Sequence, residues 1–558
     1  MDKIRIVALG GLDEHYKSCF VVEINDDIFV VECGIKFPDI AKPGIDYVIP
    51  RTDYLVENRH RIKAYIITHG HDSVSCAIPY IYHKIPAPIY CTSITKTFLL
   101  SFLKHNHIKA DSLVFNIVEP SDEITINNRK ISLFSTCTNI AKSFGIAFDT
   151  DQGNIVFLSN CVFDNNADTG FNLDIRKVAS IASRKQTLLL MQDSCYAERT
   201  GYTNPNYKII PLIDRVIRDA SGRIFVALES PDIYNIIAVI NEAIRSNRKL
   251  IFYDQATVDV VNCLIESKCL EIPKNFILPV GEANRVRAQE VMILMCSFEE
   301  RLYRKIRLLA THQNDDQILQ IFPTDTFIMA THGNKDTETD RTDALNELYR
   351  TDCSIYSFKE PQFIKMHASQ EDLKTSIAIF KPKYYLPIQG TFVQLLANAK
   401  VALGTHVGLN HNSVFILENG DALEFDNYVA KIKPKAVLSG SVLIDGIGIG
   451  DIASNVLEER QKLSDDGVVI LAATISKSKR EIVLGPDIQS RGLVYVKEND
   501  ALMKEIERVF LLNVRQELVK PNYSISYLET NIKESVFKSI RRVTLKSPTI
   551  IAKVVEIE

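Results

Sequence analysis

An apolar run that leads into two closely spaced histidines constrains this chain more than any other stretch. Residues 64–67 read Ala-Tyr-Ile-Ile, which predicts a buried β-strand, and the motif His69-Gly70-His71 follows one residue later. Alternate residues at the end of a strand point the same way, so the two imidazoles could hold one metal ion between them. A His-x-His pair alone is a weak signal, and the residues around it decide its meaning.

The composition is that of an ordinary globular protein. The 558 residues are 46% hydrophobic and 24% charged, with a net charge of −4, which excludes a globally basic nucleic-acid binder but permits a local basic groove. The 11 cysteines are scattered singly, without a Cys-x-x-Cys pair, so we expect reduced thiols and a cytoplasmic location. No stretch approaches the roughly 18 apolar residues of a membrane span, and the polar N-terminus is unlike a signal peptide.

Changes of texture along the chain predict several domains. Residues 1–207 are rich in strand patterns, residues 208–363 alternate strand and helix patterns as a parallel α/β insert does, and the β-rich texture returns over 364–430. A stretch with Lys and Pro predicts a linker over 431–445. Residues 446–558 then predict a small α+β domain.

Short motifs, in order along nearly the whole chain, carry a family resemblance. They are Ala8-Leu9-Gly10-Gly11-Leu12, Cys33-Gly34-Ile35-Lys36-Phe37-Pro38, Thr68-His69-Gly70-His71, Ile78-Pro79-Tyr80, Asp193-Ser194, Ala197-Glu198, His367-Ala368-Ser369-Gln370-Glu371-Asp372-Leu373-Lys374, Lys381-Pro382-Lys383-Tyr384 and Gly485-Pro486-Asp487-Ile488-Gln489-Ser490-Arg491-Gly492. The chain resembles the ribonuclease J family. The resemblance implies an α/β fold: a metallo-β-lactamase αββα sandwich, an inserted parallel α/β β-CASP domain and a C-terminal α+β domain. We expect the last motif to form a structural turn.

The same resemblance implies a metal centre that has lost most of its ligands. Active members of the family hold two metal ions, usually zinc or manganese, which activate a water against an RNA phosphodiester. By resemblance the ligands fall on seven positions, of which His69 and His71 keep the family's residue. The remaining, degenerate positions are Ser73, Val74, Thr138, Asn160 and Gln389.

The chemistry of these replacements is unfavourable for a metal pair. Two divalent cations roughly 3.5–4 Å apart need anionic bridges, but Asn160 is neutral and Val74 cannot ligate. A catalytic zinc takes three protein ligands plus water, whereas His69 and His71 give two, and alternation points Asp72 away. We favour a vestigial pair held by loop hydrogen bonds over a residual weak site, and expect no cofactor beyond a weakly bound zinc or manganese ion.

A segment before the second β-rich part is the implied RNA-binding site. The family holds an RNA phosphate at the positions of Ile364, Lys365, Met366, His367, Ala368 and Ser369. Backbone amides, an imidazole and a hydroxyl suit phosphate oxygens, although Met366 replaces the usual Gly and crowds the approach. We favour a retained, weakened RNA contact. The alternative is that His367 only joins two parts of the protein by hydrogen bonds.

Three acidic residues complete the candidate site. Asp232 falls at a second substrate contact of the family, which Pro231 alters because proline has no N–H donor. Asp193 and Glu198 are retained near the site. Without metal ions to pair with, we expect the latter two to be solvated carboxylates.

The resemblance implies a subunit of RNA processing and decay, within a class of 5′→3′ exo- and endoribonucleases that mature rRNA and mRNA. Because the ligands are lost, we expect this chain to resemble the degenerate second paralogue of Gram-positive bacteria, with little or no activity of its own. The expected partners are RNA, a second copy, an active ribonuclease J paralogue and an RNA-degradation complex, without a membrane. Two alternatives stay open: a weak but genuine metal-dependent 5′→3′ exoribonuclease, and a pure scaffold without RNA contact.

Overall fold

The structure, a computed structural model, describes residues 1–38, 44–109, 112–283, 285–314, 318–331, 333, 337–446, 448–450, 454–493 and 500–558. These residues divide into two compact units, residues 1–36 with 48–442 and residues 37–47 with 443–558. Within these ranges no helix combines the length and the apolar character that crossing a lipid bilayer requires.

The first unit alternates strands and helices along most of its length, and the second unit ends in two long helices and a strand. The strands are β1 Ile4–Gly10, β2 Cys19–Ile24, β3 Asp27–Val31, β4 Tyr47–Pro50, β5 Ile62–Ile66, β6 Ile89–Cys91, β7 Phe115–Ile117, β8 Glu123–Ile126, β9 Arg129–Ser135, β10 Phe144–Thr150, β11 Gly153–Leu158, β12 Thr187–Asp193, β13 Ile224–Glu229, β14 Lys249–Phe252, β15 Val291–Ser297, β16 Thr326–Ala330, β17 Ser354–Ser357, β18 Tyr384–Ile388, β19 Ala422–Asp426, β20 Val429–Lys433, β21 Ser441–Asp445, β22 Gly448–Gly450, β23 Val468–Ser476, β24 Glu481–Arg491 and β25 Thr549–Ile557. The α-helices are α1 Asp53–Glu57, α2 Asp72–Ser75, α3 Ile78–Ile81, α4 Ser93–His105, α5 Ile175–Arg184, α6 Ile210–Asp219, α7 Ile233–Arg245, α8 Gln255–Glu266, α9 Glu299–Ala310, α10 Glu338–Tyr349, α11 Gln370–Phe380, α12 Phe392–Leu403, α13 Ser454–Asp466, α14 Asp500–Leu518 and α15 Ile525–Thr544.

Two mixed sheets pack face to face at the centre of the first unit. One has the strand order β20-β19-β1-β2-β3-β5-β6-β7, and the other has the order β18-β12-β11-β10-β9-β8. Aromatic side chains from the facing strands meet between them: the ring centroids of Phe20 and Phe157, and of Phe29 and Phe148, lie 5.4 Å apart. Such alternate apolar residues, turned to one face by the pleat, bury a common core.

Helices cover the outer faces of this sandwich. Helices α5, α11 and α12 share one buried apolar cluster with the outer face of the six-stranded sheet. On the eight-stranded sheet, Arg5 of β1 donates a hydrogen bond of 3.1 Å to the hydroxyl of Tyr54 in α1. The layers are therefore helix, sheet, sheet, helix, as expected from the sequence.

The inserted part of the first unit is a parallel α/β layer structure. Its five strands have the order β14-β15-β13-β16-β17, and every neighbouring pair is parallel. Strand β13 is buried along its whole length because both faces of the sheet are covered, one by a cluster with α6 to α8 and the other by a cluster with α9 and α10. Continuous apolar strands of this kind are typical of parallel sheets.

The second unit holds a three-stranded sheet and long helices. In this sheet β23 lies between β24, which is antiparallel to it, and β25, which is parallel to it. Helices α14 and α15 bury apolar residues in one cluster with the sheet. Helix α15 was not anticipated from the sequence.

Two local expectations differ from the structure. Residues 485–491 are not a turn but part of strand β24, paired with β23 over Val468–Ser476. Residues 431–445 are not a continuous linker, since 431–433 close β20 against β19 and 441–445 form β21. Gly485 and Pro486 lie inside β24, whereas Pro434 directly follows the last residue of β20.

Candidate functional site

The loop with the two histidines is held tightly against the chain that follows β3. The main-chain N–H of Cys33 donates to the carbonyl of Val74 at 2.6 Å, and that of Ile35 donates to the carbonyl of Asp72 at 3.0 Å. A Cβ at Gly34 would lie 1.6 Å from the carbonyl oxygen of Ser73, so only glycine allows this approach. The positions of residues 71–74 are therefore fixed by backbone contacts.

The histidines are neutral and already hydrogen-bonded. Burial, with smaller contributions from the charges of His71 and His367, lowers the pKa of His69 to about 3. Burial also lowers the pKa of His71. The His69 Nδ1 lies 2.8 Å from the Thr68 hydroxyl. Both imidazoles are thus in the uncharged form from which a metal ligand must start.

The ring nitrogen of His71 that faces the loop already has donors on it. Its Nδ1 accepts the Ser73 N–H at 3.1 Å and lies 2.7 Å from the Ser73 hydroxyl, which makes His71 the cap of α2. Because Nδ1 is an acceptor, the neutral ring carries its hydrogen on Nε2. Asp72 accepts a hydrogen bond from the Cys76 thiol at 3.4 Å, one turn further along α2. The polar side chains of His71 and Asp72 therefore have hydrogen-bond partners within the loop and α2.

Two of the degenerate positions have structural contacts of their own: Val74 is buried and Thr138 is hydrogen-bonded within its loop. The Val74 side chain is buried, with 2% of its surface exposed. The Thr138 hydroxyl donates to Ser143 Oγ at 2.8 Å and accepts the Ile140 N–H at 3.1 Å, which closes the loop between β9 and β10. Neither residue offers a ligand.

Asn160 joins the sandwich to the segment before α11. Its Nδ2 donates a short hydrogen bond to the carbonyl of Met366. Among the described residues its buried Oδ1 has no hydrogen-bond partner. An amide in this position uses its donor, which the carboxylate implied by the family could not supply.

Gln389 belongs to a buried network around Glu32. Its Nε2 donates to Glu32 Oε2 at 2.9 Å, and its Oε1 accepts from Ser159 Oγ at 2.9 Å. Glu32 also accepts from Ser18 at 2.5 Å and from Thr68 at 2.6 Å. Burial raises the pKa of Glu32 to about 7, although these hydroxyls counteract the shift. Where the family implies a metal-ligating residue, Gln389 therefore places a neutral amide that donates to Glu32.

These contacts decide whether a metal pair fits. The five replaced positions give two neutral carboxamides, two hydroxyls and an alkyl group, and four of them are hydrogen-bonded within the protein. No anionic bridge stands at Asn160, where two cations would need it. The residues do not fit a two-metal centre.

The segment that the resemblance assigns to RNA is partly buried and partly accessible. Lys365 pairs through Nζ with Glu229 at 2.9 Å, and its side chain is 30% exposed. The His367 side chain is 31% exposed and its Nδ1 lies 3.3 Å from Asp193 Oδ2. The other four members, Ile364, Met366, Ala368 and Ser369, are buried. Lys365 and His367 are therefore the side chains of this segment that a ligand can reach.

Ser369 has a structural task. Its hydroxyl and the carboxylate of Asp372 form a reciprocal capping box at the start of α11. The hydroxyl also lies 2.7 Å from Thr203 Oγ1. Such a cap satisfies N–H groups that the first turn of a helix leaves open.

Asp232 and Asp193 are both held inside the site. Asp232 caps α7 and accepts from Asn235 Nδ2 at 2.8 Å, and burial raises its pKa to about 7. The expectation that Asp193 is a solvated carboxylate is wrong, since its side chain is 1% exposed and lies against His367. Glu198, in contrast, is exposed.

Comparison with known proteins gives the family. The profile described as "Ribonuclease J, beta-CASP domain" matches residues 221–345, and "Ribonuclease J C-terminal domain" matches residues 455–557. The chain is 30% identical over 554 residues to "Ribonuclease J 2" of Staphylococcus epidermidis, covering 99% of this chain and 98% of that protein. It is 31% identical over 555 residues to "Ribonuclease J 2" of Staphylococcus aureus, with the same coverage. The chain belongs to the ribonuclease J family.

The fold of this ribonuclease J-family chain is shared by a crystal structure of another protein. It is a protein of unknown function from Enterococcus faecalis V583, with a TM-score of 0.51 and 13% identity, covering 76% of this chain and 100% of that one. The expected family and fold class are confirmed: a metallo-β-lactamase sandwich with a β-CASP insert and the family's C-terminal domain.

Three side chains of the site were not anticipated from the sequence of this ribonuclease J-family chain. Glu32 follows the apolar strand β3 and ends up fully buried. Cys195 has its Sγ 3.8 Å from His15 Nδ1, in a loop contact between residues far apart in the chain. A charged residue directly after the apolar run of residues 28–31 was the signal that could have identified Glu32. Nothing local marked His15 and Cys195.

Proposed function

We propose that this chain is an RNA-binding subunit of RNA processing and decay with little or no cleavage activity of its own. The observation that supports this most is the hydrogen bonding of Ser73, Thr138, Asn160 and Gln389 within the protein, where metal ligands would otherwise stand. A water activated between two metal ions has no place in such a network.

RNA contact is assigned to the accessible part of the segment before α11. Lys365 contributes an ammonium group beside the Glu229 carboxylate, and His367 contributes an imidazole beside the Asp193 carboxylate. A phosphate oxygen accepts hydrogen bonds from an ammonium group and from N–H donors. Each carboxylate competes for the same donors, so the contact is weaker than one made by unpaired cations. The substrate class is single-stranded RNA with a 5′-phosphate.

The assembly and the cellular setting are part of the same proposal. We expect a homodimer or a hetero-oligomer with an active ribonuclease J paralogue, in which the paralogue cleaves and this chain holds RNA. All 11 cysteines are free thiols, which fits a reducing, cytoplasmic setting. The proposed domain bounds are 1–207 with 364–430 for the sandwich, 208–363 for the insert and 446–558 for the C-terminal domain.

A second candidate is a weak metal-dependent 5′→3′ exoribonuclease. It is favoured by one observation: His69 is uncharged at neutral pH, the state in which an imidazole ligates zinc or manganese. Metal binding that disappears in His69→Ala, together with cleavage, would support it.

RNA binding is the direct test of the proposal. Purified full-length chain in a chelator-containing buffer is titrated with a 5′-phosphorylated single-stranded RNA, and compared with Lys365→Gln and with Lys533→Gln on the exposed side of α15. Losing one charge-assisted phosphate contact weakens binding by about tenfold or more. We expect this loss for Lys365→Gln alone. Equal affinity of both variants and the parent would contradict the assigned surface, and no binding at all would identify a pure scaffold.

A further inference from the structure

Three side chains beyond the two histidines of the loop bring different metal-binding atoms together. Asp193 ends β12, Cys195 follows two residues later, and His367 comes from the segment before α11. One ligand atom of each lies within 4.8 Å of the others, and in the part of the chain that the structure describes no other such group of three occurs. Carboxylate oxygen, thiol sulfur and imidazole nitrogen are all ligands that zinc accepts.

A fourth donor stands beside the group. The Nδ1 of His15, in the loop after β1, lies 3.8 Å from Cys195 Sγ. Burial lowers the pKa of His15, so its imidazole is uncharged at neutral pH. The four residues supply two nitrogens, one sulfur and one oxygen.

Two of the distances between these atoms are close to the edges of a coordination tetrahedron. Zinc–ligand bonds of about 2.0–2.1 Å to nitrogen and oxygen and about 2.3 Å to sulfur give edges of roughly 3.3 Å between N and O and roughly 3.6 Å between N and S. The observed separations are 3.3 Å between His367 Nδ1 and Asp193 Oδ2, and 3.8 Å between His15 Nδ1 and Cys195 Sγ. These two separations differ from the tetrahedral edges by at most about 0.2 Å, and the ligand atoms of Asp193, Cys195 and His367 all lie within 4.8 Å of one another.

We propose that Asp193, Cys195 and His367, with His15 as fourth ligand, bind a single thiophilic divalent cation, zinc in the first instance. Binding forms a bond between the metal and Cys195 Sγ, and the thiol proton leaves to solvent. The site uses neither His69 nor His71. It holds one ion, and so it does not restore a two-metal cleavage mechanism.

The buried carboxylate of Asp193 supplies the negative charge that a cation at this site needs. Asp193 is a carboxylate with 1% of its side chain exposed, and its Oδ2 lies 3.3 Å from Nδ1 of the His367 imidazole. A buried carboxylate is costly unless a positive charge compensates it. The Asp193 main chain is fixed on both sides, since its N–H donates to the Ser159 carbonyl at 3.2 Å and its carbonyl accepts from Asn398 Nδ2 at 3.0 Å.

The thiol also has a place for its hydrogen in the metal-free protein. Cys195 Sγ lies 3.6 Å from the carbonyl of Gln389, which it contacts as a donor. Metal binding exchanges that weak contact for a metal–sulfur bond. The ion would then tie the loop after β12 to the segment before α11, because His367 belongs to that segment.

Cobalt substitution tests the site by its sulfur ligand. Full-length chain is stripped with a chelator, titrated with Co²⁺ and then with Zn²⁺, and followed by near-ultraviolet absorption. We expect one equivalent of Co²⁺, a thiolate-to-cobalt charge-transfer band, and its loss when Zn²⁺ displaces Co²⁺. Cys195→Ser should lose the band, whereas Cys269→Ser, a half-buried thiol after α8, should keep it.

A second readout does not depend on the thiol. Zn²⁺ stabilises the folded chain by mass action, so it raises the melting temperature. We expect His367→Ala, at an accessible side chain, to weaken Zn²⁺ binding by at least about tenfold and to remove that rise, while near-ultraviolet circular dichroism stays native. The inference is overturned if no charge-transfer band forms, or if Cys195→Ser and His367→Ala bind as the parent does while His71→Ala loses the metal.

Discussion

At the scale of a single residue, Glu32 shows how burial and hydrogen bonding oppose each other in the candidate site. Its carboxylate accepts from Ser18, Thr68 and Gln389 in a fully buried pocket. Hydrogen bonds to the charged form lower a carboxyl pKa, while burial raises it. Burial dominates here and gives a pKa of about 7 against the ordinary 4.5.

The first prediction concerns the pH dependence of stability. Because the folded pKa of Glu32 is raised, its stabilising contribution is complete below about pH 4.5 and is lost as the pH rises through about 7. The difference corresponds to about 3 kcal/mol. In chemical denaturation at a series of pH values, Glu32→Gln should gain that much relative to the parent between about pH 5 and pH 8.

The comparison is made between the two proteins because other groups titrate as well. His69, with its pKa lowered to about 3, acts in the opposite sense between that value and 6.5. It does so equally in the parent and in Glu32→Gln. A constant difference in the free energy of unfolding across this pH range would show that Glu32 keeps an ordinary pKa.

The second prediction concerns Asn160. Asn160→Asp restores the acidic residue that the family implies, but it replaces the donor to the Met366 carbonyl with a second acceptor. An unsatisfied or repelled buried group costs roughly 1–3 kcal/mol. We expect thermal unfolding to show that loss at neutral pH, without recovery by Mn²⁺ or Zn²⁺.

Asn165→Asp provides the matched control for Asn160→Asp, since Asn165 is exposed in the same loop. It should leave the melting temperature nearly unchanged. Recovery of Asn160→Asp by Mn²⁺ would mean that the old metal position still binds when its acid is returned.

At the scale of elements, Asp372 ties three segments together. Its carboxylate accepts the N–H groups of Phe163 at 2.8 Å, Thr203 at 3.0 Å and Ser369 at 3.0 Å. The residue is completely buried at the start of α11. The cap of one helix is therefore also the join between the sandwich and the segment that carries Lys365 and His367.

The third prediction follows from this join. Asp372→Ala leaves three N–H groups without their acceptor, at roughly 1–3 kcal/mol each, so we expect a loss of at least about 3 kcal/mol. Hydrogen exchange should become faster at Phe163, Thr203 and Ser369. Glu371→Ala, which removes a half-exposed carboxylate from the same turn, should cost well under about 1 kcal/mol. Similar losses for both variants would refute this role.

Local patterns predicted much of the fold. The hairpin of β10 and β11 follows from two apolar runs around Asp149 to Gly153, and the alternation after residue 208 predicted the parallel insert. The strand pattern over 481–484 predicted the start of β24, but its continuation over 485–491 was missed because Gly485 and Pro486 look like a turn, although paired strands accept both at irregular positions. Helix α15 was missed because many charged residues stand between its buried apolar residues in the sequence, so the helical spacing of the apolar residues was not recognised.

Residues of the candidate site could be predicted from the sequence only where they belong to a recognisable family motif. His69, His71 and the five replaced positions were found by resemblance to motifs. Glu32 and the group of His15 and Cys195 depend on contacts between distant segments: Glu32 meets Gln389 across 357 positions, and Cys195 meets His15 across 180. Burial and pairing of this kind arise only when the sheets pack.

At the scale of the whole molecule, the chain keeps the family's fold, and we propose that it has lost the family's cleavage chemistry. The chain keeps the sandwich, the insert and the C-terminal domain of the ribonuclease J family over 98% of the length of its relative. Four of the five positions that differ from the ligands implied by the family make side-chain hydrogen bonds within this scaffold. Gln389 joins the two sheets through Glu32, and Asn160 joins the sandwich to the segment before α11.

Cleavage of 5′-monophosphorylated RNA by the purified chain, free of any paralogue and supplied with Mn²⁺, tests this account most directly. We predict that RNA decay is no faster than in a chelator-treated sample, and that His69→Ala does not change it. An active family member measured in parallel shows that the assay works. Degradation at the rate of that active member, dependent on Mn²⁺ and lost in His69→Ala, would contradict the account.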